Sequence, residues 1–369
     1  IELVLVEDGS NDGSGIICDE YLQLDSRVKV LHKINGGPVR ARKDGLELAT
    51  GKYIAFADAD DWLEPDMILR LYSIMEQEAV DVAMCGRYED TGETHREVYH
   101  GLAEGKYEKE DMLKRVYPKM IVNGAFFEWG LFPGLWDKMF RRECLEPYMM
   151  AVDDQITMGD DAACVYPCLL NAESIYVLHK CLYHYRQTTF SMVKQMPNAQ
   201  LERQRFHVLY HSVLHSLEKY KEIYDLTEQW TEYVLFLMVP RADTLYKSIE
   251  SLDYLFPFSG VKKGSNIVLY GMGTYGQRLY RFIKETGICN VVALADRNYK
   301  ELNHQGLPVQ APDSLADLEY DAIVVASSFA KARAAIYRDL IEMYPREKVH
   351  VMDEDLIKRE ETLQAFGLK

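Results

Sequence analysis

Residues 51–66 read GKYIAFADADDWLEPD, an apolar segment followed at once by three carboxylates. The apolar part has the short pattern of a buried β-strand. Asp58, Asp60 and Asp61 therefore come at the carboxyl end of a predicted strand, which is the edge where open α/β sheets bind ligands. Acidic oxygens at that edge suit a hard divalent cation that also holds phosphate oxygens. Aspartates after strands also form turns and helix caps, so this stretch alone leaves both interpretations open.

Two further apolar strands are predicted upstream. Residues 1–6 read IELVLV and lead into EDGSNDGSG, and residues 28–32 read VKVLH and lead into KINGG. Each strand ends in small polar residues and is followed by a helical pattern. Such repeats are typical of βαβ units with parallel strands, and they predict an α/β fold.

These segments, in this order and spacing, resemble the family 2 glycosyltransferases. The resemblance rests on VEDGSNDGSG and on KINGGPVRARKDGLELATGKYIAFADADDWLEPDM. It continues to about residue 195 through WDK at 136–138, GDD at 159–161 and YR at 185–186. It implies a GT-A nucleotide-sugar-binding domain with a mostly parallel sheet, an inverting transfer, and a nucleotide-sugar donor.

The resemblance implies donor-side roles for four residues. Asp8 would accept a hydrogen bond from the nucleotide base, as a carboxylate can from a uracil N–H. Arg42 would lie near the diphosphate, where a guanidinium matches phosphate oxygens. Asp60 would coordinate Mn²⁺ or Mg²⁺, and Asp58 would contact the ribose or the same metal. The cation would neutralise the departing nucleoside diphosphate.

The segment GDD matches the family's acidic catalytic motif. Asp161 would be the base that removes a proton from the acceptor hydroxyl, since an inverting displacement requires one such base. Asp160 would lie on the acceptor side of the site. Both aspartates precede a predicted helix, so helix capping is the alternative for each.

Four further residues are assigned by the same resemblance. Trp136 and Lys138 would line the acceptor side, with core packing and simple solvent exposure as the respective alternatives. Arg186 and Ser191 would lie on a loop that closes over the donor and excludes water.

The chain departs from the family pattern in two places. It has Ala41-Arg42-Lys43 where the family usually has Ala-Arg-Asn. It also opens on what would be the second strand of the pattern, so that about thirty residues of a usual catalytic domain are expected to be missing. Removing a central strand would expose two sheet edges. Truncation and a degenerate, inactive relative are both compatible with this, and the retained acids favour truncation.

A second motif begins at residue 266 with NIVLYGMGTYGQRLY, a strand followed by GxGxxG and an amphipathic helix. Gly271, Gly273 and Gly276 would form the loop, and Asp296 ends a second strand about 25 residues on, near the spacing of a ribose-binding acid. We predict a small Rossmann-like domain, similar to modules found beside sugar-modifying enzymes. Its glycines could equally serve helix-to-strand packing without any bound dinucleotide.

The sequence thus predicts three parts: a GT-A domain at 1–195 without its first strand, a helical connector at 196–262, and a Rossmann-like accessory domain at 263–369. In the connector, His207, His211 and His215 recur every four residues, and their apolar neighbours favour helix packing over a metal site. The net charge of −16 argues against a nucleic-acid partner. The seven scattered cysteines fit reduced thiols, and we expect a cytoplasmic protein. Peripheral association of the protein with the inner face of the membrane is compatible with this.

The predicted function is transfer of a sugar, from a UDP-sugar or similar donor, to a saccharide or lipid-linked acceptor during surface polysaccharide synthesis. One alternative is an NAD(P)-dependent sugar-modifying enzyme centred on the C-terminal domain. Another is a non-catalytic scaffold.

Overall fold

The computed structural model describes residues 1–91, 94–187, 198–249, 251–304 and 306–369. These residues form two compact units. The first comprises residues 1–121, 129–195 and 208–228, and the second comprises 122–128, 196–207 and 229–369. The helices predicted as a connector are therefore not a unit of their own, because their residues are divided between the two.

Among the described residues, the first unit contains strands β1 to β9 and most of the helices of the N-terminal half. Its strands are β1 Leu3–Glu7, β2 Val28–His32, β3 Tyr53–Ala55, β4 Trp62–Leu63, β5 Val82–Thr91, β6 Thr94–Val98, β7 Gly105–Glu108, β8 Lys138–Arg141 and β9 Ser174–Arg186. Its helices are α1 Ser14–Leu24, α2 Gly37–Leu48, α3 Met67–Glu78, α4 Lys109–Asp111, α5 Arg142–Ala151 and α6 Asp160–Asn171, and the helix α7 Ala199–Glu218 is divided between the units. The three strands predicted around the acidic motif are confirmed.

The strands of the first unit form two sheets. A seven-stranded sheet has the order β3-β8-β5-β9-β4, with β6 and β7 paired at its side. Within it β5 and β9 are parallel, whereas β8 runs antiparallel to both β3 and β5. The strands β1 and β2 form a separate parallel pair. Across the described residues the fold class is α/β with a mixture of parallel and antiparallel ladders.

The helix α3 covers one face of the larger sheet. Met67, Leu71 and Met75 recur every four residues and are fully buried, because that spacing places them on one helix face. They pack against buried side chains of β5 and β9. The sheet that carries the acidic motif therefore rests on a well-packed apolar layer.

The second unit is built on a five-stranded parallel sheet of order β12-β11-β10-β13-β14. Its strands are β10 Asn266–Tyr270, β11 Asn290–Ala295, β12 Val309–Gln310, β13 Ala322–Val325 and β14 Val349–His350. Its helices are α8 Thr227–Met238, which begins in the first unit, α9 Ala242–Leu245, α10 Thr274–Thr286, α11 Tyr299–His304, α12 Ala330–Met343, α13 Glu354–Lys358 and α14 Glu360–Phe366. Every strand predicted around the glycine motif is present.

None of the helices among the described residues combines the length and the apolar character needed to span a bilayer.

Candidate active site

Arg42, on α2, joins the acidic residues of two distant sequence motifs. Its guanidinium donates to Asp58 Oδ1 at 3.1 Å and to Asp160 Oδ2, and its Nη1 lies 3.3 Å from Asp161 Oδ1. The pKa of Arg42 is raised above its usual value, because the three carboxylates outweigh the effect of burial. The structure therefore brings together Arg42 and Asp58, predicted for the donor site, Asp161, predicted as the base, and Asp160, predicted for the acceptor side.

Asp161 is placed by the start of α6. Gly159 is the N-cap residue with φ of 75°, and neither aspartate of the first turn caps the helix through its side chain. The Leu135 N–H donates to Asp161 Oδ2 at 3.4 Å, while Oδ1 accepts no hydrogen bond. Capping is thus not the role of Asp160 or Asp161.

The ionisation of Asp161 follows from its surroundings. Burial and the neighbouring carboxylates of Asp160 and Asp58 raise its pKa to about 7, although Arg42 opposes the shift. The side chain keeps 21% of its exposed area. A carboxylate that exchanges its proton near neutral pH meets one requirement of a general base.

The three aspartates after β3 have different partners. Asp58 binds Arg42, and its backbone N–H donates to the Tyr183 hydroxyl at 3.1 Å. Asp61 accepts from the Tyr183 hydroxyl and from the Arg186 N–H, both at 2.8 Å. Asp60 is exposed and, within the described ranges, has no hydrogen bond or ion pair. Asp60 is therefore the acid that folding leaves available to a ligand.

Asp61 was predicted only as one of the three carboxylates at the strand end that could suit a divalent cation, and not as a residue that positions the motif. Burial raises its pKa to about 6, against the hydrogen bonds from Arg186 and Tyr183. It links the acidic loop to β9 and so fixes the positions of its two neighbours in the motif. In the sequence, only its proximity to Asp58 and Asp60 could have indicated that Asp61 positions the motif.

Asp8 lies at the carboxyl end of β1 and organises the loop before α2. It accepts from Lys33 Nζ at 2.6 Å, the Gly36 N–H at 2.9 Å and the Gly37 N–H at 2.8 Å. Burial raises the pKa of Asp8, but the hydrogen bonds from these three donors lower it by more. The net shift of the pKa is therefore downward. The carboxylate is thus ionised and fixed beside the helix that carries Arg42.

Trp136 and Lys138 do not lie on an acceptor surface. Trp136 is 3% exposed and stacks on Tyr183 at 4.3 Å between ring centroids. Lys138 is fully buried, and its Nζ donates to the carbonyls of Phe132 and Gly134 and to Asp137. The acceptor-side interpretation of both residues is corrected: they support the site from the core, Trp136 through the tyrosine that holds Asp58 and Asp61.

Arg186 is the last residue of β9 and is exposed. Its guanidinium carbon lies 5.1 Å from the ring centroid of Trp62, which is 39% exposed. Trp62, beside the acidic loop, is a residue without a predicted role. Its position directly after the acidic motif, as an aromatic residue, could have indicated one. Ser191 lies outside the described residues.

The glycine loop of the second unit has a different character. A Cβ on Gly276 would lie 1.8 Å from the Gly271 carbonyl oxygen, whereas a Cβ on Gly273 would meet nothing within 4 Å. Asp296 accepts from the Met272 N–H at 2.6 Å and from the Asn298 N–H at 2.8 Å. Both oxygens of the predicted ribose-binding acid therefore serve the loops of the protein itself.

Comparison with known proteins agrees with the geometry of the first unit. The model of the family described as Glycosyl transferase family 2 matches residues 1–141. EpsJ, an uncharacterized glycosyltransferase of Bacillus subtilis (strain 168), is 31% identical over 198 residues, which cover 53% of this chain and 55% of EpsJ. Residues 1–141 belong to glycosyl transferase family 2.

Other relatives extend this comparison. EpsH, a putative glycosyltransferase of the same organism, is 32% identical over 200 residues, covering 53% of this chain and 55% of EpsH. The chain thus matches about half the length of these curated relatives. The chain is also similar to a solved structure of S. aureus TarS 1–349 in complex with UDP, at 16% identity and a TM-score of 0.42, and the match covers 83% of this chain and 82% of the TarS chain.

The second unit has its own family match, since residues 263–350 match the model described as C2185-like, N-terminal. This match begins three residues before β10 and ends at the last residue of β14.

Proposed function

We propose that this protein is an inverting glycosyltransferase that moves a sugar from a UDP-sugar or similar donor to a saccharide or lipid-linked acceptor in surface polysaccharide synthesis, at the cytoplasmic side of the membrane. The family 2 domain supports the reaction class. The observation that carries the proposal is the arrangement of Arg42, Asp58, Asp160 and Asp161, in which Asp161 has a pKa of about 7 and an oxygen without a hydrogen-bond partner.

Asp161 would act on the acceptor. Its carboxylate would remove the proton from the acceptor hydroxyl as that hydroxyl oxygen attacks C1 of the donor sugar. The bond between C1 and the phosphate oxygen breaks on the opposite face, and the nucleoside diphosphate leaves with the electron pair. Arg42 would keep Asp161 oriented and supply a permanent positive charge near the leaving group.

The residues present fit a divalent cation on the donor side. Asp60 is exposed without a partner in the described ranges, and Asp58 uses only Oδ1 for Arg42. These are the hard oxygen ligands that Mn²⁺ and Mg²⁺ prefer. The cation would supply Lewis-acid stabilisation of the diphosphate. Asp61 is less suited, since Tyr183 and Arg186 already occupy its oxygens.

Asp8 would receive the nucleotide base. Each of its oxygens can accept two hydrogen bonds. Oδ1 takes Lys33 and Gly36, but Oδ2 takes only Gly37, so one acceptor position is left for a base N–H. Arg186, at the end of β9, and Trp62, on β4, would close on the donor.

Titration with UDP, with and without Mn²⁺, tests the donor site. We expect binding that strengthens with Mn²⁺, and we expect Asp60→Asn to remove that dependence. Asp111→Asn is the control, because Asp111 is a half-exposed acid of the same unit whose carboxylate pairs with Arg115. UDP binding that Mn²⁺ does not strengthen, or an Asp60→Asn variant that keeps the dependence, would contradict the metal assignment. A protein that binds neither UDP nor another nucleoside diphosphate would overturn the proposed function.

A further inference from the structure

A cluster of metal-binding side chains lies at a second place on the seven-stranded sheet. Asp90, His95 and His184 come from β5, β6 and β9, and their ligand atoms all lie within 4.8 Å of one another. His184 Nδ1 is 2.8 Å from Asp90 Oδ2, and His95 Nδ1 contacts Asp90 Oδ1. Each histidine thus directs its Nδ1 toward a different oxygen of one carboxylate.

Strand register explains why these residues meet. Asp90 pairs with His95 across β5 and β6, and Tyr88, two residues before Asp90, pairs with His184 across β5 and β9. Directly paired residues, and residues two apart on a strand, share a sheet face. The cluster is therefore a consequence of the sheet pairing, although its members lie up to 94 residues apart in sequence.

The ring of His184 is held from three sides. Its Nε2 lies 3.1 Å from Glu64 Oε1. Trp62 stacks on one face of the ring at 4.8 Å between centroids, and Tyr88 stacks at 4.6 Å. A ligating histidine usually donates its second ring N–H to a carboxylate, which fixes the tautomer and leaves the other nitrogen free for the metal. Glu64 is placed to accept this second hydrogen bond, from Nε2 of His184.

We propose that Asp90, His95 and His184 bind a divalent cation of the zinc class. Two imidazoles and one carboxylate form a donor set typical of Zn²⁺, with bonds of about 2.0–2.2 Å. Asp90 is only 4% exposed, so its charge is removed from water and gains from direct neutralisation by a cation. The side chain of His95 is 55% exposed and gives the ion a route of entry, and water would complete the coordination.

This site differs in chemistry from the donor site. Asp58 and Asp60 offer oxygen atoms alone, which suit Mg²⁺ and Mn²⁺, whereas imidazole nitrogens favour Zn²⁺ and Co²⁺. A cation here would join β6 to β9 two residues before Arg186. Its role would be to position the end of β9, and the site does not depend on the proposed transfer reaction.

Co²⁺ provides the test, because tetrahedral Co²⁺ absorbs visible light and quenches nearby tryptophan fluorescence. The measurement uses the Asp60→Asn variant as the parent protein, so that the donor-side acids bind less Co²⁺. We expect one Co²⁺ per chain, displaced by Zn²⁺, with quenching that Trp62→Phe reduces while the visible absorption remains. His95→Gln and His184→Gln should each abolish the absorption, and Glu64→Ala should weaken affinity by roughly 10- to 100-fold.

His179→Gln is the matched control, since His179 lies on β9 with His184 and its Nε2 is hydrogen-bonded to the Leu102 carbonyl instead. It should leave Co²⁺ binding unchanged. Zn²⁺ should also raise the melting temperature of the parent chain, and chelation should reverse the gain. His95 is exposed, so its variant is expected to fold and report on binding alone. Absence of stoichiometric Co²⁺ and Zn²⁺ binding, or binding that survives both His95→Gln and His184→Gln, would overturn the proposal and leave two histidines hydrogen-bonded to Asp90.

Discussion

Two acidic motifs that the sequence predicted as binding sites differ in the folded protein. One is the group of aspartates around Arg42, and the other is the aspartate that follows the glycine loop. In the first unit, Asp60 has no partner among the described residues and Asp161 keeps an oxygen without a hydrogen bond. In the second unit, Asp296 accepts two backbone N–H groups of the loops around it. The difference indicates that a binding site is recognised by the hydrogen-bonding capacity that remains after folding, since a satisfied carboxylate has less to offer a ligand.

The largest effect is expected at Asp161. Asp161→Asn should lower transfer by about 10²- to 10⁴-fold, because the amide cannot accept the acceptor proton. UDP binding should persist, and Asp111→Asn should transfer normally. Steady-state rates and UDP titration check this. Retained transfer in Asp161→Asn would show that another group is the base.

Loss of stability is not expected to explain that result. Burial raises the pKa of Asp161 to about 7 from 3.8, so the folded chain holds this proton to a higher pH than the unfolded chain does. The contribution is stabilising at low pH and is lost as the pH rises toward about 7. Thermal unfolding of Asp161→Asn should therefore depend less on pH over this range.

The glycine loop allows the next test. Gly276→Ala should cost about 1–3 kcal/mol of unfolding free energy, because its Cβ would overlap the Gly271 carbonyl. Gly273→Ala should be nearly neutral, since its Cβ meets open space and its φ of −67° suits any residue. Urea unfolding of both variants measures this. Equal costs would contradict the view that Gly276 serves packing.

A further test compares two neighbouring acids of the first motif. Asp61→Asn should cost roughly 1–3 kcal/mol, because either Tyr183 or the Arg186 N–H loses its acceptor. Asp60→Asn should change stability by less than about 0.5 kcal/mol. Denaturant unfolding near neutral pH compares them. A destabilised Asp60→Asn variant would mean that this acid has a structural role as well.

The sequence predicted the strands around both motifs, because short apolar runs ending in small polar residues are local signals. The family resemblance assigned Arg42, Asp58 and the GDD segment to one active site, but it did not predict that Arg42 contacts all three acids. It was wrong about Trp136 and Lys138, since burial of a lysine depends on carbonyls that only tertiary structure supplies. The Asp90–His95–His184 cluster was missed for a related reason, because register across three strands unites residues without a shared motif. The pKa of Asp161 likewise follows from burial.

The pH dependence of nucleotide-sugar turnover tests the central claim most directly. With Asp161 as the base, kcat/KM should rise about tenfold per pH unit at low pH and level off above about pH 7, where the carboxylate is ionised. Hydrolysis or transfer by the whole protein, followed from about pH 5 to about pH 9, provides the profile. A rate that does not change over this range, or one that falls through about pH 7, would contradict a base at Asp161.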